Sequence, residues 1–267
     1  MFNRLFNNLV FYNVHLVRCF VSHLLPGITF SLSSLRDFSD PVVAREIVHT
    51  LQAAPSYIRP TQFGPFEGNQ PFVDVDEPVK FLAQPGHTAE AGSLVLSAGG
   101  SGEYQVQWNK STPPSLPFVG GFLMHKAFLK KPAVLDDFLA LVKRLAASTE
   151  GVYGDIRSMA FPGWDTPFNL SLRLPEIPNV SLYGKPYIEL FGRALIESAP
   201  FLRIEQLADD LYWLQATEQV TDPVPDEVRL AIRSHFGEDA FMSGKKWRYS
   251  DGRHPTFDFS NIGRGGA

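Results

Sequence analysis

The sequence predicts an α+β fold: a mostly antiparallel sheet covered by amphipathic helices, built either as one body or as two related α/β modules. Three observations carry this. ITFSLSSL (28–35) and SLVLSAGGSGEYQVQWNKS (93–111) alternate apolar and polar residues, the period of a half-buried strand. SDPVVAREIVHTLQAAP (39–55) and PAVLDDFLALVKRLAAST (132–149) place apolar residues on one helical face. Strands also follow one another directly in the middle of the chain, as hairpins do and crossover units do not.

Taken in order, the body begins with the strand at 28–35. In the helix that follows, Ser39 or Asp40 serves as cap, Pro41 sits in the first turn and Pro55 stops it. Residues 55–78 hold five prolines and two glycines and read as a long ordered loop, with a turn of helix near EPVKFLAQ. AGGSG then joins the two halves of the 93–111 hairpin. A phosphate loop would need a helix after the glycines, and a strand follows instead. SLPFVGGFLMHKAFLKK (115–131) reads as a strand bent at Gly120-Gly121.

The helix from Pro132 buries Val134, Leu135, Phe138, Leu141, Val142 and Leu145. Its Asp136-Asp137 pair and its Lys143-Arg144 pair match the two ends of the helix dipole, and Gly151 ends it. GVYGDIRSMA (151–160) is a turn into a short strand, FPGWDTPFN is loop, and 180–184 is a short strand or a turn. GKPYIELFGRALIESAP is a helix pair or one interrupted helix. In it Pro186 fits the first turn, Tyr187, Leu190 and Phe191 face the sheet, and Gly192 breaks the helix or allows close packing. FLRIEQLADDLYWLQATE is a hairpin turning at Ala208-Asp209-Asp210. DPVPDEVRLAIRSHFGEDAF is a last helix, starting near Asp222 or Asp226 and ending at Gly237. The domain reading is an N-terminal extension or loosely attached helix at 1–26, a body at 27–260 with possible modules 27–160 and 161–260, and a flexible tail at 261–267.

Composition narrows the function. A chain of 267 residues is long enough for a sizeable core, and 22 phenylalanines make that core aromatic. The net charge of -4 argues against a general nucleic-acid binder. KKWRYSDGRH (245–254) interleaves bases with aromatics, as strand-gripping segments do, but it stands alone in an acidic chain. Cys19 is the one cysteine, so neither an intrachain disulfide nor a cysteine-based zinc site is available. Residues 1–26 contain two arginines and no acid, and Asn13, His15, Arg18 and His23 interrupt their apolar run well short of the roughly 20 residues of a membrane span.

No HExxH frame and no GxSxG elbow occurs, and no two of the seven histidines have i, i+4 spacing. The strongest charge feature is the span 205–239, with nine acids against Arg229 and Arg233. It reads either as a solvated face or as a surface that steers a basic partner.

LPEIPNVSLYGKPYIELFGRALIESAP runs a proline-framed aromatic segment into a Tyr-Gly turn, a helix containing Phe-Gly, and a proline exit. Together with LDDFLALVKRLAAST leading into GVYGDI, and with FVGGFLMHKAF upstream, it resembles bacterial immunity-type proteins of polymorphic-toxin and type VI secretion systems. The resemblance covers residues 93–240. It implies a cytoplasmic, non-enzymatic protein that binds and occludes a cognate toxin, without a cofactor, and it supplies no catalytic residues. Within that expectation Asp209, Asp210, Asp222, Asp226 and Glu227 are the partner-binding candidates. The alternative is a hydrolase with a composite site drawing on His87 or His125.

Overall fold

The structure is a computed structural model, and it describes residues 27–84, 90–111, 115–129, 131–159, 170, 173–242 and 253–262. Among these residues one ten-stranded antiparallel sheet carries seven helices. The strands are β1 (Ile28–Ser34), β2 (Gln62–Gly64), β3 (Gln70–Pro71), β4 (Ala91–Ser97), β5 (Gly102–Asn109), β6 (Ser115–Leu123), β7 (Gly151–Ser158), β8 (Val180–Gly184), β9 (Arg203–Ala208) and β10 (Leu211–Gln215). The helices are α1 (Pro41–Gln52), α2 (Asp76–Ala83), α3 (His125–Phe128), α4 (Ala133–Ser148), α5 (Lys185–Phe191), α6 (Arg193–Glu197) and α7 (Asp226–Phe236). The order across the sheet is β3-β2-β4-β5-β6-β1-β7-β8-β10-β9. The first strand in sequence therefore lies in the middle.

Strand alternation sorts the side chains onto two faces. On one face Phe30, Leu32, Leu94, Tyr104, Val106, Val119, Ile156, Leu182 and Trp213 form a core with α1, α2 and α4. Phe138 of α4 meets Phe30 edge-on at 5.6 Å and stacks on Tyr104 at 6.5 Å. On the other face Tyr153, Tyr183, Tyr212 and Leu214 pack under α5, α6 and α7. Here Tyr183 and Tyr187 stack at 5.2 Å, and Phe191 meets Phe236 at 4.7 Å.

Several local expectations hold. Asp40 caps α1 by accepting from the Val42 amide. The glycine cluster is the β4–β5 turn, with the Ala98 amide bonded to the Gly102 carbonyl. α5 and α6 are separated by Gly192, whose φ of +82° belongs to the left-handed region. Asp209 and Asp210 form the β9–β10 turn.

Other expectations need correction. The stretch 55–78 is more than loop: it contains β2, β3 and the start of an eight-residue α2. The strand from Ser115 ends at Leu123 and gives way to α3. Through its two glycines the pairing with β1 is continuous, Ser31 opposing Gly120 and Phe30 opposing Gly121. These glycines make room for rings: a Cβ on Gly120 would fall 2.2 Å from the Phe118 ring, and one on Gly121 would be 2.9 Å from Phe30 and Tyr104. α4 ends at Ser148 with Thr149 as its cap, Glu150 follows at φ +50°, and Gly151 already belongs to β7. Its last turn carries no base, because Lys143 sits earlier and reaches Glu205 on β9. β7 is eight residues long and buried throughout, where a short strand was expected.

Phe138 is fully buried between two rings, so Phe138→Ala removes both packing and area. Urea unfolding is expected to show a loss of about 3–5 kcal/mol. Val42→Ala, on the exposed side of α1, is expected to leave stability within about 0.5 kcal/mol.

Candidate functional site

The acidic span splits into two places. Asp209 and Asp210 lie exposed at the β9–β10 turn. Asp210 pairs with Arg193 of α6 at 2.7 Å, and nearby the Tyr212 hydroxyl donates to Glu197 at 2.6 Å. This tip is thereby tied to α6. Asp222, Asp226 and Glu227 lie beyond the far end of β10, where Asn179 donates to the Asp222 carbonyl and α7 begins. Five strand residues separate the two groups, roughly 16 Å of extended chain. The five candidates therefore do not form one cluster.

Tertiary pairing also removes much of the local charge. Glu205 meets Lys143, Asp210 meets Arg193, Asp226 meets Arg229, Glu238 meets Arg233, and Asp239 meets Arg253. Three of these five bases come from outside the span. Asp209, Glu218, Asp222 and Glu227 enter no ion pair among the described residues. Three of those four sit together around the loop that leads into α7, where carboxylates also complement the helix N-terminus. Arg233 has a structural role: it is buried, bonds Glu238 and Glu176, and donates to the Met242 carbonyl. Burial works against its charge, but the two carboxylates outweigh that and raise its pKa further.

A second polar feature lies in the centre of the sheet, on the face that bears α5–α7. Ser31 opposes Asp155, and Asp155 opposes Ser181, so three adjacent strands place these residues in one row. Asp155 pairs with Arg157 at 3.2 Å, and both side chains are about one-twentieth exposed. Ser33, Tyr153 and Tyr183 form the next row. The Tyr187 hydroxyl is buried with no hydrogen-bond partner among the described residues. Burial pushes the Tyr153 and Tyr187 phenols well above their ordinary range. This row was missed in the sequence. Its signal was the polar residue at every second position of ITFSLSS and of the DIR segment in β7.

On the same face, two strands from β1, Glu103 of β5 has one carboxylate oxygen buried without a partner among the described residues. Burial, and then the charge of Glu67, raises its pKa.

The histidines do not converge on these groups. His125 packs edge-on to Phe128 at 4.9 Å. His235 Nε2 lies 2.8 Å from the Leu195 carbonyl, and His254 Nδ1 lies 3.2 Å from the Pro255 carbonyl. His87 and residues 245–252 of the basic-aromatic segment lie outside the described residues, as do residues 1–26 and 263–267. No group of three or more His, Cys, Asp or Glu side chains among the described residues is placed to hold a metal ion. No described helix is long and apolar enough to cross a membrane.

No protein-family model matches the sequence, and no curated protein matches it. Among solved structures the chain is similar to Pseudomonas aeruginosa T6SS protein PA0821. The TM-score is 0.52 at 12% sequence identity, covering 80% of this chain and 74% of that one. The shared feature is the fold.

Two outcomes follow from these polar groups. Tyr104 donates to the Ile58 carbonyl at 2.7 Å, so Tyr104→Phe is expected to cost about 1–3 kcal/mol, whereas Tyr187→Phe deletes a partnerless hydroxyl and is expected to be neutral or slightly stabilising. Chemical denaturation of both variants checks the contrast. For Glu103 the folded state holds its proton more tightly than the unfolded chain. The stability this lends is present at acid pH and is lost as pH rises through the raised value. Glu103→Gln is therefore expected to melt higher than the parent at pH 7, with the difference closing near pH 4, as read by melting scans across pH.

Proposed function

We propose that this chain is a non-enzymatic, immunity-type protein of the type VI secretion context, one that binds a protein toxin and occludes it. The observation that carries the reading is the likeness of fold, over four-fifths of the chain, to the Pseudomonas aeruginosa T6SS protein. The pattern of residues 93–240 points to the same class. The cell compartment in this reading is the cytoplasm, where such a toxin would act. The exposed carboxylates that remain unpaired supply a negative field for a basic partner.

Within this reading the steering residues are Asp222, Asp226 and Glu227 at the start of α7, with Asp209 and Asp210 as a separate, smaller contribution. Asp226 is held by Arg229 and Asp210 by Arg193, which leaves Asp222, Glu227 and Asp209 as the stronger candidates.

The test is a native pull-down of the tagged protein from its own cells, read by mass spectrometry. The expected result is one stoichiometric protein partner, encoded next to this chain. Recovery of the protein alone, while that neighbour is expressed, would overturn the reading. With the partner in hand, Asp222→Lys combined with Glu227→Lys is expected to lower the association rate at low salt about tenfold and to flatten its salt dependence. An unchanged rate across salt would remove the electrostatic part of the proposal.

A further inference from the structure

Phe66 and Val73 are the most exposed of the large apolar side chains among the described residues, at 76% and 86%. Both belong to the β2–β3 hairpin region, at the edge of the sheet opposite β9. Isolated exposed apolar residues are ordinary on any protein. These two differ in how they are held. The core takes their neighbours instead: Phe63 and Phe72 are buried and meet edge-on at 6.1 Å, and Phe63 also meets Phe81. Phe66 and Val73 therefore contribute little to the fold.

The backbone that presents them is fixed. The Phe72 amide bonds the Thr61 carbonyl, and the Asn69 amide bonds the Glu67 carbonyl. A Cβ on Gly64 would fall 2.1 Å from the Glu67 carbonyl oxygen, and one on Gly68 would fall 2.7 Å from the Ser97 Cβ. The turn closes too tightly for any side chain at these two positions, and Pro65 and Pro71 stiffen it further. An aromatic tip on a pre-ordered turn loses little entropy when it is buried by a partner, which is how binding anchors work.

Charge selects the partner. Glu67 and Asp74 are exposed, each next in sequence to one of the apolar residues, and neither enters an ion pair among the described residues. Glu103 lies close enough to Glu67 to feel its charge. Pairing with a second copy of this chain would set these carboxylates against themselves. A basic surface with an apolar recess satisfies both features.

We propose that the β2–β3 hairpin is a docking edge for a basic protein, with Phe66 and Val73 as apolar anchors and Glu67 and Asp74 as the charged rim. This surface is separate from the acidic end of α7. Most of the sheet lies between them, roughly 40 Å at the usual strand spacing. The inference therefore does not need the toxin-binding reading to hold.

Photocrosslinking in the native cells tests it, with p-benzoylphenylalanine placed singly at positions 66, 73, 222 and 42. Position 42 is an exposed apolar site on α1 and serves as the control. The expected result is one basic protein captured from both 66 and 73, absent from 42, with its yield cut severalfold by Glu67→Lys combined with Asp74→Lys. Melting curves of the variants confirm that the fold is intact. No adduct at 66 and 73, the same adducts as at 42, an acidic protein or a second copy of the chain would each overturn the proposal. Capture at 222 reports separately on the toxin-binding surface.

Discussion

The pairing of β1 on both of its edges is the constraint on which the rest of the structure depends. Residues 28–33 lie against 118–123 on one side, and residues 28–34 lie against 151–158 on the other. The chain must therefore bring its first strand between segments about 90 and 120 residues later before the sheet is continuous. Loop closure of that length costs entropy that only later contacts repay, so assembly is non-local. Once β1 is in place it joins the β2–β6 meander to β7–β10, and α4, the link between β6 and β7, closes over it through Phe138.

The two faces of this sheet do different jobs. One is a conventional apolar core under α1, α2 and α4. The other is aromatic beneath α5–α7 and becomes polar toward β1 and β7, where Ser31, Asp155 and Ser181 align beside Arg157. A buried ion pair is weak evidence for stability, because desolvation offsets most of the attraction. Replacing Arg157 would nevertheless take this ion pair away from the buried Asp155 carboxylate. The polar row therefore marks a place where substitutions are tolerated poorly even though the row adds little net stability.

The sequence made much of the fold legible, for identifiable reasons. α1, α4, the α5–α6 break and the β9–β10 turn each carry a strong period or punctuation, in Asp40-Pro41, the Phe138 stripe, Gly192 and Asp209-Asp210. β2 and β3 were hidden because two- and three-residue strands framed by Pro60, Pro65 and Pro71 look like loop. The length of β7 was hidden because charged Asp155 and Arg157 fall inside it, and only pairing with β1 and β8 buries them. The acidic candidates were legible as solvent-facing residues. Their division into two groups was not, nor was their partial neutralisation, because Lys143, Arg193 and Arg253 arrive from distant segments. The apolar anchors at Phe66 and Val73 gave no separate signal among 22 phenylalanines, since exposure is a property of the folded chain.

If β1 locks the sheet into one body, native-state hydrogen exchange at its amides will show it. The β1 amides bonded to β6 and β7 are expected to exchange only through global unfolding, with the same free energy and denaturant dependence as the protected amides of β8 and β10. If β1 instead exchanges through a cheaper, local opening while β7, β8 and β10 stay protected, the strand is an addition to an independent sheet and does not lock it.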